Sequence, residues 1–217
     1  SMLQEGKTMG LAPFGADVNE PVLHLPEKYN GIVTDFSEVC VEDNYELRGN
    51  NVNFKTEQEK ARAAYEVQKA CENSMLHLAR YAKEQTSSDY LCISGGVALN
   101  SVANYKIHLS NIFKEIFINP AASDSGISLG CALYGHHTKG QKANQSKVLS
   151  PFLGPAYTME DEKRAIENSS KKFLVVEENI EEITAYLLHL NFIVACCRGR
   201  SEMGPRALGA RSILMNP

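Results

Sequence analysis

The sequence predicts an α/β fold, and three features carry that reading. Residues 91–93 (LCI) form a short continuous apolar run, as a strand buried on both faces produces, and break at once into a glycine turn at 94–100 (SGGVALN) that opens a helix. The same order returns at residues 115–118 (EIFI), which lead through the loop 119–126 (NPAASDSG) into a helix over 127–137. Beyond a polar stretch the alternation of helix and strand resumes, which predicts a second α/β unit.

The first pair of loops points to a ligand. Gly95 and Gly96 let the backbone approach a bound group with no Cβ in the way, and a helix start offers unpaired amide donors with a partial positive charge. An anion fits there, a nucleotide phosphate first among candidates. The second loop brings one carboxylate, Asp124, to the same end of the sheet, and two successive strand-to-helix loops define one crevice. Each loop alone has a plainer reading. A Gly-Gly pair also serves as a tight connection, and Asp124 as the N-cap of the helix that follows. A cap does not explain two such loops in succession.

The remaining elements follow in order. Residues 5–15 (EGKTMGLAPFG) set three glycines around Lys7 with no apolar strand before them, so the chain is expected to open on a glycine turn inside a domain. Residues 16–54 alternate weakly and suggest short antiparallel strands or an extended excursion. Thr56 and Glu59 have capping-box spacing. After them Ala64, Val67, Cys71, Ser74, Leu78 and Tyr81 recur at helical intervals, predicting an amphipathic helix to about Glu84 whose charged side (Glu66, Lys69, Glu72, Arg80) faces solvent. Residues 136–150 (HHTKGQKANQSKVLS) lack an apolar period and read as a linker. Adjacent His136 and His137 point apart on a helix, which favours helix-end histidines over a metal pair. Helices at about 159–169 and 180–190 and strands at 173–176 and 192–197 follow, and residues 213–217 form a last apolar strand with nothing to pair onto it, so both ends are expected to interrupt domains.

Four arginines and three glycines fall within residues 198–212 (RGRSEMGPRALGARS), directly after an apolar strand. Guanidinium forks bind phosphate or carboxylate through paired hydrogen bonds while glycines let backbone wrap the same group, so this stretch signals an oxyanion pocket. The plainer alternative is an exposed basic loop, or ion pairs with Glu202. Elsewhere the composition narrows the partners. With 43% apolar residues and a net charge of −4, there is core material for one large or two small domains. That balance gives no bulk electrostatic reason to expect nucleic acid or an anionic membrane as partner. No apolar run approaches the roughly 20 residues that span a bilayer. The six cysteines, at 40, 71, 92, 131, 196 and 197, show no C-x-x-C and read as buried thiols of a reducing, cytoplasmic compartment. The neighbouring Cys196 and Cys197 face opposite ways in a strand and are not expected to form a disulfide.

The segments GKTMGLAPFG, CISGGVALN, NPAASDSGISLGCALY, PFLGPAY and GRSEMGPRALGARSIL together closely resemble the carbamoyltransferase family that includes the nodulation protein NodU and the antibiotic O-carbamoyltransferases. The resemblance covers nearly the whole chain. It implies the later part of an actin-like ATPase domain of the sugar kinase/heat-shock ATPase superfamily over residues 1–138, a linker over 139–150, and the start of a YrdC-like domain over 151–217. It further implies an O-carbamoyltransferase, in which carbamoyl phosphate and ATP give a carbamoyl adenylate whose carbamoyl group passes to the hydroxyl of a small-molecule acceptor in biosynthesis. By the same resemblance Lys7, with Gly6 and Gly10 nearby, lies beside the nucleotide, Gly95, Gly96 and Asn100 meet its phosphates, and Asp124 ligates a divalent metal, Fe2+ or similar. Arg198, Arg200, Arg206 and Arg211 with Ser212 would surround carbamoyl phosphate or ATP, with Arg206 and Arg211 taken as catalytic and Arg198 standing where the family commonly has Gln. The family's other metal ligands are histidines spaced H-x-x-x-H, and these 217 residues contain no such motif. The chain by itself is therefore expected to be inactive, with a homodimer as a candidate assembly. Two other classes stand beside this one: a tRNA threonylcarbamoyladenosine-type transferase, which would not need the arginine-glycine stretch, and a non-catalytic nucleotide-binding module.

Overall fold

The computed structural model describes residues 5–17, 21–23, 25, 28–35, 54–140, 150–176 and 178–216. The chain divides into two compact units, residues 1–118 and 119–217.

The first unit is organised on one long helix. It contains α1 (Glu5–Leu11), a 3-10 turn (Ala12–Gly15), the hairpin β1 (Lys28–Asn30) and β2 (Val33–Asp35), α2 (Glu57–Thr86), β3 (Tyr90–Ile93), a 3-10 turn (Gly96–Leu99), α3 (Ser101–Leu109) and β4 (Glu115–Ile118). Residues 5–11 are therefore helical, where the glycines had suggested a turn. The helix α2 starts as its capping box requires: Glu59 N–H donates to Thr56 Oγ1 at 3.1 Å, and Thr56 N–H donates to Glu59 Oε2 at 3.3 Å. It ends at Ser87, whose φ of 55° is left-handed and whose N–H returns to the Lys83 carbonyl at 2.8 Å.

The buried stripe of α2 is displaced from the apolar one read in the sequence. Ala61, Ala64, Gln68, Glu72 and Ala79 are buried, whereas Val67 and Leu78 are exposed. Small alanines let neighbouring backbone come close, and a Cβ added at Gly15 would stand 2.1 Å from the Ala61 carbonyl oxygen. Two charged positions expected in solvent are engaged instead. Glu66 accepts from the amides of Val22 and Leu23 and from Arg62, and Glu72 pairs with Lys106. Further along, Met75, Leu76, Ala79 and Ala82 pack with Ile107 and Phe113 and with Leu91, Ile93 and Ile116 of the sheet. Full burial of a side chain such as Ile107 contributes roughly 1.5–3 kcal/mol.

The two strands of that sheet are parallel neighbours, Tyr90 opposite Glu115 and Ile93 opposite Ile118. Both chains thus leave the sheet at the same end.

The second unit contains a 3-10 turn (Asp124–Gly126), α4 (Ile127–Thr138), α5 (Met159–Glu167), α6 (Ile180–His189), β5 (Val194–Cys197) and β6 (Arg211–Leu214). His136 and His137 lie in the last turn of α4, at its negative end. Two expectations fail. Residues 173–176 (FLVV) take no ladder partner and form no strand, because apolar, β-branched composition makes a strand only where a neighbour supplies hydrogen bonds. Conversely, the final apolar stretch has a partner: β6 pairs antiparallel with β5, Val194 opposite Leu214 and Cys197 opposite Arg211. The thiols also differ from expectation. Cys71 and Cys196 are half-buried, Cys92, Cys131 and Cys197 are exposed, and all five are free. Cys40 and most of the linker (141–149) lie outside the described residues, as does much of the 16–54 stretch.

Candidate functional site

The loop after β3 is built from beneath and open at its tip. Gly95 has φ 96° and Gly96 begins the 3-10 turn; a Cβ added to either would meet no atom within 4 Å. The positive φ requires glycine at 95, and the free space leaves both backbones accessible. The turn is closed by Ala98 N–H to the Gly95 carbonyl at 3.0 Å and Asn100 N–H to the Val97 carbonyl at 2.9 Å.

Asn100 then caps α3, its Oδ1 accepting the Ala103 amide at 3.1 Å. The same side chain exchanges two hydrogen bonds with Gln68 of α2, at 2.9 and 3.1 Å, and Gln68 donates to Glu72 at 3.0 Å. Glu72 closes the chain on Lys106 of α3, whose pKa it raises. Both Gln68 and Glu72 are buried, at 7% and 4% exposure, so a polar ladder inside α2 fixes where the diglycine loop begins its helix. Asn100 is thus engaged by protein on both polar atoms, while Gly95 and Gly96 face open space. Cys71 stands beside Asn100 with its thiol pKa pushed up by burial and by Glu72.

Lys7 lies elsewhere in this unit. It is exposed on α1 and lines, with Thr8, Leu11, Leu23, Lys60 and Val67, a mostly apolar cavity of about 500 Å³.

In the second unit three stretches far apart in sequence meet through backbone. Residues 119–126 fold on themselves: Ala121 N–H donates to Asn119 Oδ1 at 2.8 Å, and a Cβ at Gly126 would stand 2.0 Å from the Ala121 carbonyl oxygen. Asp124 is exposed in the 3-10 turn and is not the cap of α4; the N-cap position is Gly126, and no side chain caps it. Against this loop sits Gly204, with φ 90°, where a Cβ would be 2.2 Å from the Pro120 carbonyl oxygen. Residues 151–155 join the stretch that carries Gly204, at Ser201 and Met203. Gly154 N–H donates to the Ser201 carbonyl at 2.9 Å, Ser201 N–H to Pro155 at 3.2 Å, and Met203 N–H to Pro151 at 2.7 Å.

The arginines differ in burial and in the contacts they make. Arg211 donates to the carbonyls of Ala210, Arg198 and Gly199 at 2.9, 3.0 and 3.2 Å, with its guanidinium 5.9 Å from the centre of the Tyr157 ring. Arg200 donates to the Leu153 carbonyl at 3.1 Å. The Arg198 side chain is exposed beside Gly209, and Arg206 is half-buried. Ser212 Oγ accepts the Gly209 amide at 3.1 Å. Glu202 makes the contacts that sequence reading missed. Its Oε1 accepts the amides of Leu208, Arg211 and Ala210 at 2.7, 3.2 and 3.3 Å. Those bonds, the Leu208 amide foremost, hold its carboxyl at about 2. A lone acidic residue in an arginine-rich stretch was the available signal, but it suggested ion pairing rather than amide binding.

The described residues do not by themselves complete a metal site, since among them no three His, Cys, Asp or Glu side chains come together. Asp124 is a single ligand candidate. Among the described residues, too, no helix is long and apolar enough to cross a membrane.

Parallel strands that lead into glycine-containing loops, and an arginine-rich loop packed by backbone on two further stretches, define an α/β protein. Comparison with known proteins makes the class specific. The family model for the carbamoyltransferase N-terminus matches residues 3–133, and that for the carbamoyltransferase C-terminus matches residues 185–217; the chain belongs to the carbamoyltransferase family. Nodulation protein NolO of Bradyrhizobium diazoefficiens is 32% identical over 232 residues, covering 100% of this chain and 40% of that protein. Nodulation protein NolNO of Sinorhizobium fredii is 34% identical over 229 residues, again covering 100% of this chain and 33% of the relative. Nodulation protein U of Azorhizobium caulinodans is 32% identical over 154 residues, 69% of this chain and 25% of its own length. The chain thus spans 40% or less of the length of each of these relatives. These matches give the tRNA-modifying alternative no support.

Proposed function

We propose that this chain is part of an O-carbamoyltransferase that uses carbamoyl phosphate and ATP to form a carbamoyl adenylate and passes the carbamoyl group to an acceptor hydroxyl. In this reading residues 1–138 belong to an actin-like domain, 139–150 link it onward, and 151–217 open a YrdC-like domain. Gly95 and Gly96 give nucleotide phosphates close access to backbone amides, Asn100 sets the start of the following helix, and Lys7, on α1, is taken to lie beside another part of the nucleotide. Arg198 and Arg206 neutralise the phosphate charge of the carbamoyl donor or nucleotide. Arg200, Arg211 and Ser212 act partly through the loop that they hold. Neutralising that charge favours attack of water on the carbamoyl carbon, because negative charge moves onto the leaving phosphate as the bond breaks; the carbamate oxygen then attacks the α-phosphorus of ATP and pyrophosphate leaves, giving the carbamoyl adenylate. A divalent metal would polarise the carbamoyl or phosphoryl oxygen, with Asp124 as one ligand.

The observation that carries this reading is the convergence of residues 119–126, 151–157 and 198–212 on one backbone scaffold, at glycines where no side chain fits. Family membership adds the transferase class. The test is made on the full-length protein, supplied with carbamoyl phosphate, ATP and candidate hydroxyl acceptors. Pyrophosphate release that depends on carbamoyl phosphate, with carbamoylated acceptor found by mass spectrometry, is the expected result. Nucleotide binding without either product would overturn it in favour of a non-catalytic nucleotide-binding module. Arg206→Ala is expected to lower kcat/KM for carbamoyl phosphate by about a hundredfold or more, the scale of losing one preorganised charge partner.

A further inference from the structure

Between β5 and β6 the chain runs through residues 198–210 without regular secondary structure, yet several of its backbone groups are hydrogen-bonded, among them the amides of Arg198, Ser201 and Met203 and the carbonyls of Ser201 and Ala210. One side chain adds to these. The Oε1 of Glu202 lies within hydrogen-bond reach of three amides, those of Leu208, Ala210 and Arg211. Converging backbone N–H groups of this kind form an anion-binding nest, and here the chain's own carboxylate fills it. On either side of Glu202, Ser201 and Met203 are fixed to residues 151–155 by three backbone hydrogen bonds. Glu202 therefore ties the 207–211 turn to a strip of chain anchored from outside that turn. Gly209, at φ 97°, supplies the bend that lets the Ala210 and Arg211 amides point inward.

We infer that Glu202 is a positioning residue for oxyanion binding. Its carboxylate occupies the amide nest of residues 208–211 and so fixes the backbone that carries Arg206 and Arg211, leaving recognition of the substrate anion to the guanidinium groups. This rests on the proposed function above. Two consequences follow from the geometry. The nest amides are not offered to substrate, so an anion does not compete with Glu202. The carboxyl stays ionised far below neutral pH, so the tie holds across the working range of an enzyme.

The experiment uses the full chain and the variants Glu202→Ala and Glu202→Gln, with two readouts. The first is hydrogen exchange without any substrate. In Glu202→Ala the amides of residues 208, 210 and 211 are expected to exchange about tenfold faster or more, with those of α5 and α6 unchanged; Glu202→Gln, which keeps an acceptor oxygen, should recover most of the protection. The second is kinetics with carbamoyl phosphate: KM rises about tenfold in Glu202→Ala while kcat stays within about threefold, the split expected when placement rather than chemistry is lost. Unchanged exchange at the three amides overturns the inference, and so does a fall in kcat at constant KM, which would make Glu202 a participant in the reaction. Should Glu202→Ala fail to fold, Glu202→Gln decides alone, since exchange there as fast as in an unstructured loop also overturns it. If the unaltered full-length protein turns over no carbamoyl phosphate, the functional reading fails while the exchange result still settles the role of Glu202.

Discussion

The loop after β3 and the loop after β5 both follow an apolar strand and both depend on glycine, but they are held in opposite ways. At residues 94–100 the glycines face open space, and order comes from Asn100 and the buried Gln68 and Glu72 of a neighbouring helix. At residues 198–210 Gly204 is pressed against other backbone, and order comes from Glu202 and Arg211 within the loop's own strand-to-strand connection. Glycine thus does two different jobs. In the first loop it keeps side chains away from a space another molecule can enter; at Gly204 it lets the chain touch itself. Substitution separates the two.

The largest effect is expected at Gly204→Ala. Its φ of 90° is strained for any Cβ, and the added carbon would overlap the Pro120 carbonyl at 2.2 Å with rigid backbone on both sides. Strain of about 1–3 kcal/mol adds to an overpacking cost of similar size, so a loss of about 2–5 kcal/mol is expected from urea denaturation. A loss under about 0.5 kcal/mol would mean that the two stretches do not touch, and the contrast between the loops would go with it.

Next comes Glu72→Ala. It leaves Lys106 without its partner and removes an acceptor from Gln68, inside a helix interface where Glu72 is 4% exposed. Removing one side of a fully buried pair costs about 3–5 kcal/mol; since the Lys106 side chain is 35% exposed, about 2–3 kcal/mol is expected. The same variant should loosen the diglycine loop and leave the arginine loop unaffected, which hydrogen exchange resolved by residue would show. Equal loosening of both would refute the separate origins of their order.

What could be read in advance follows from the same physics. The strands 115–118 and 91–93 were legible as short apolar runs, but not as strands buried on both faces, since alternate residues, Cys92 and Phe117 among them, are exposed; the cap of α2 was legible because a capping box is a local pattern. The inward stripe of α2 was not. It contains Gln68 and Glu72, and a hydrophobicity pattern assigns such residues to solvent unless their partners, Asn100 and Lys106, are known to lie opposite. Residues 173–176 show the converse error, since composition suggests a strand but only a neighbouring chain can complete one. The glycine and arginine motifs were visible as motifs. That Glu202 binds amides and Arg211 holds carbonyls depends on contacts between residues 6 to 13 apart in an irregular loop, and that Arg200 holds the Leu153 carbonyl depends on one 47 residues apart, separations for which no period exists.

A smaller effect is expected at the base of the sheet. Asp89, just before β3, accepts from Lys114 at 2.5 Å and from Lys83 at 2.9 Å, and these bonds hold its carboxyl at about 2. An acid depressed in the folded state stabilises fully above its unfolded value of about 3.9, and that contribution fades as pH falls from there toward 2. Asp89→Asn removes this dependence. Acid unfolding followed by circular dichroism should be less steep between pH 4 and 2 in the variant, with little difference in shape above pH 5. Identical acid profiles would show that the two lysines do not hold Asp89 in solution.

The smallest effect on stability, and the sharpest for function, is Gly96→Ala. Unlike Gly95, Gly96 does not have a positive φ, and the new methyl would meet no atom within 4 Å. Folding free energy should therefore change by less than about 1 kcal/mol, and could rise, because alanine restricts the unfolded chain more than glycine does. A ligand whose phosphate rests against this backbone would meet the methyl directly. A loss of nucleotide affinity of about tenfold or more, with thermal stability unchanged, would assign the open face of the loop to the ligand. Unchanged affinity in a stable variant would move the nucleotide away from the diglycine turn. A stability loss as large as that of Gly204→Ala would show instead that something packs on this turn, and that the two loops are built alike after all.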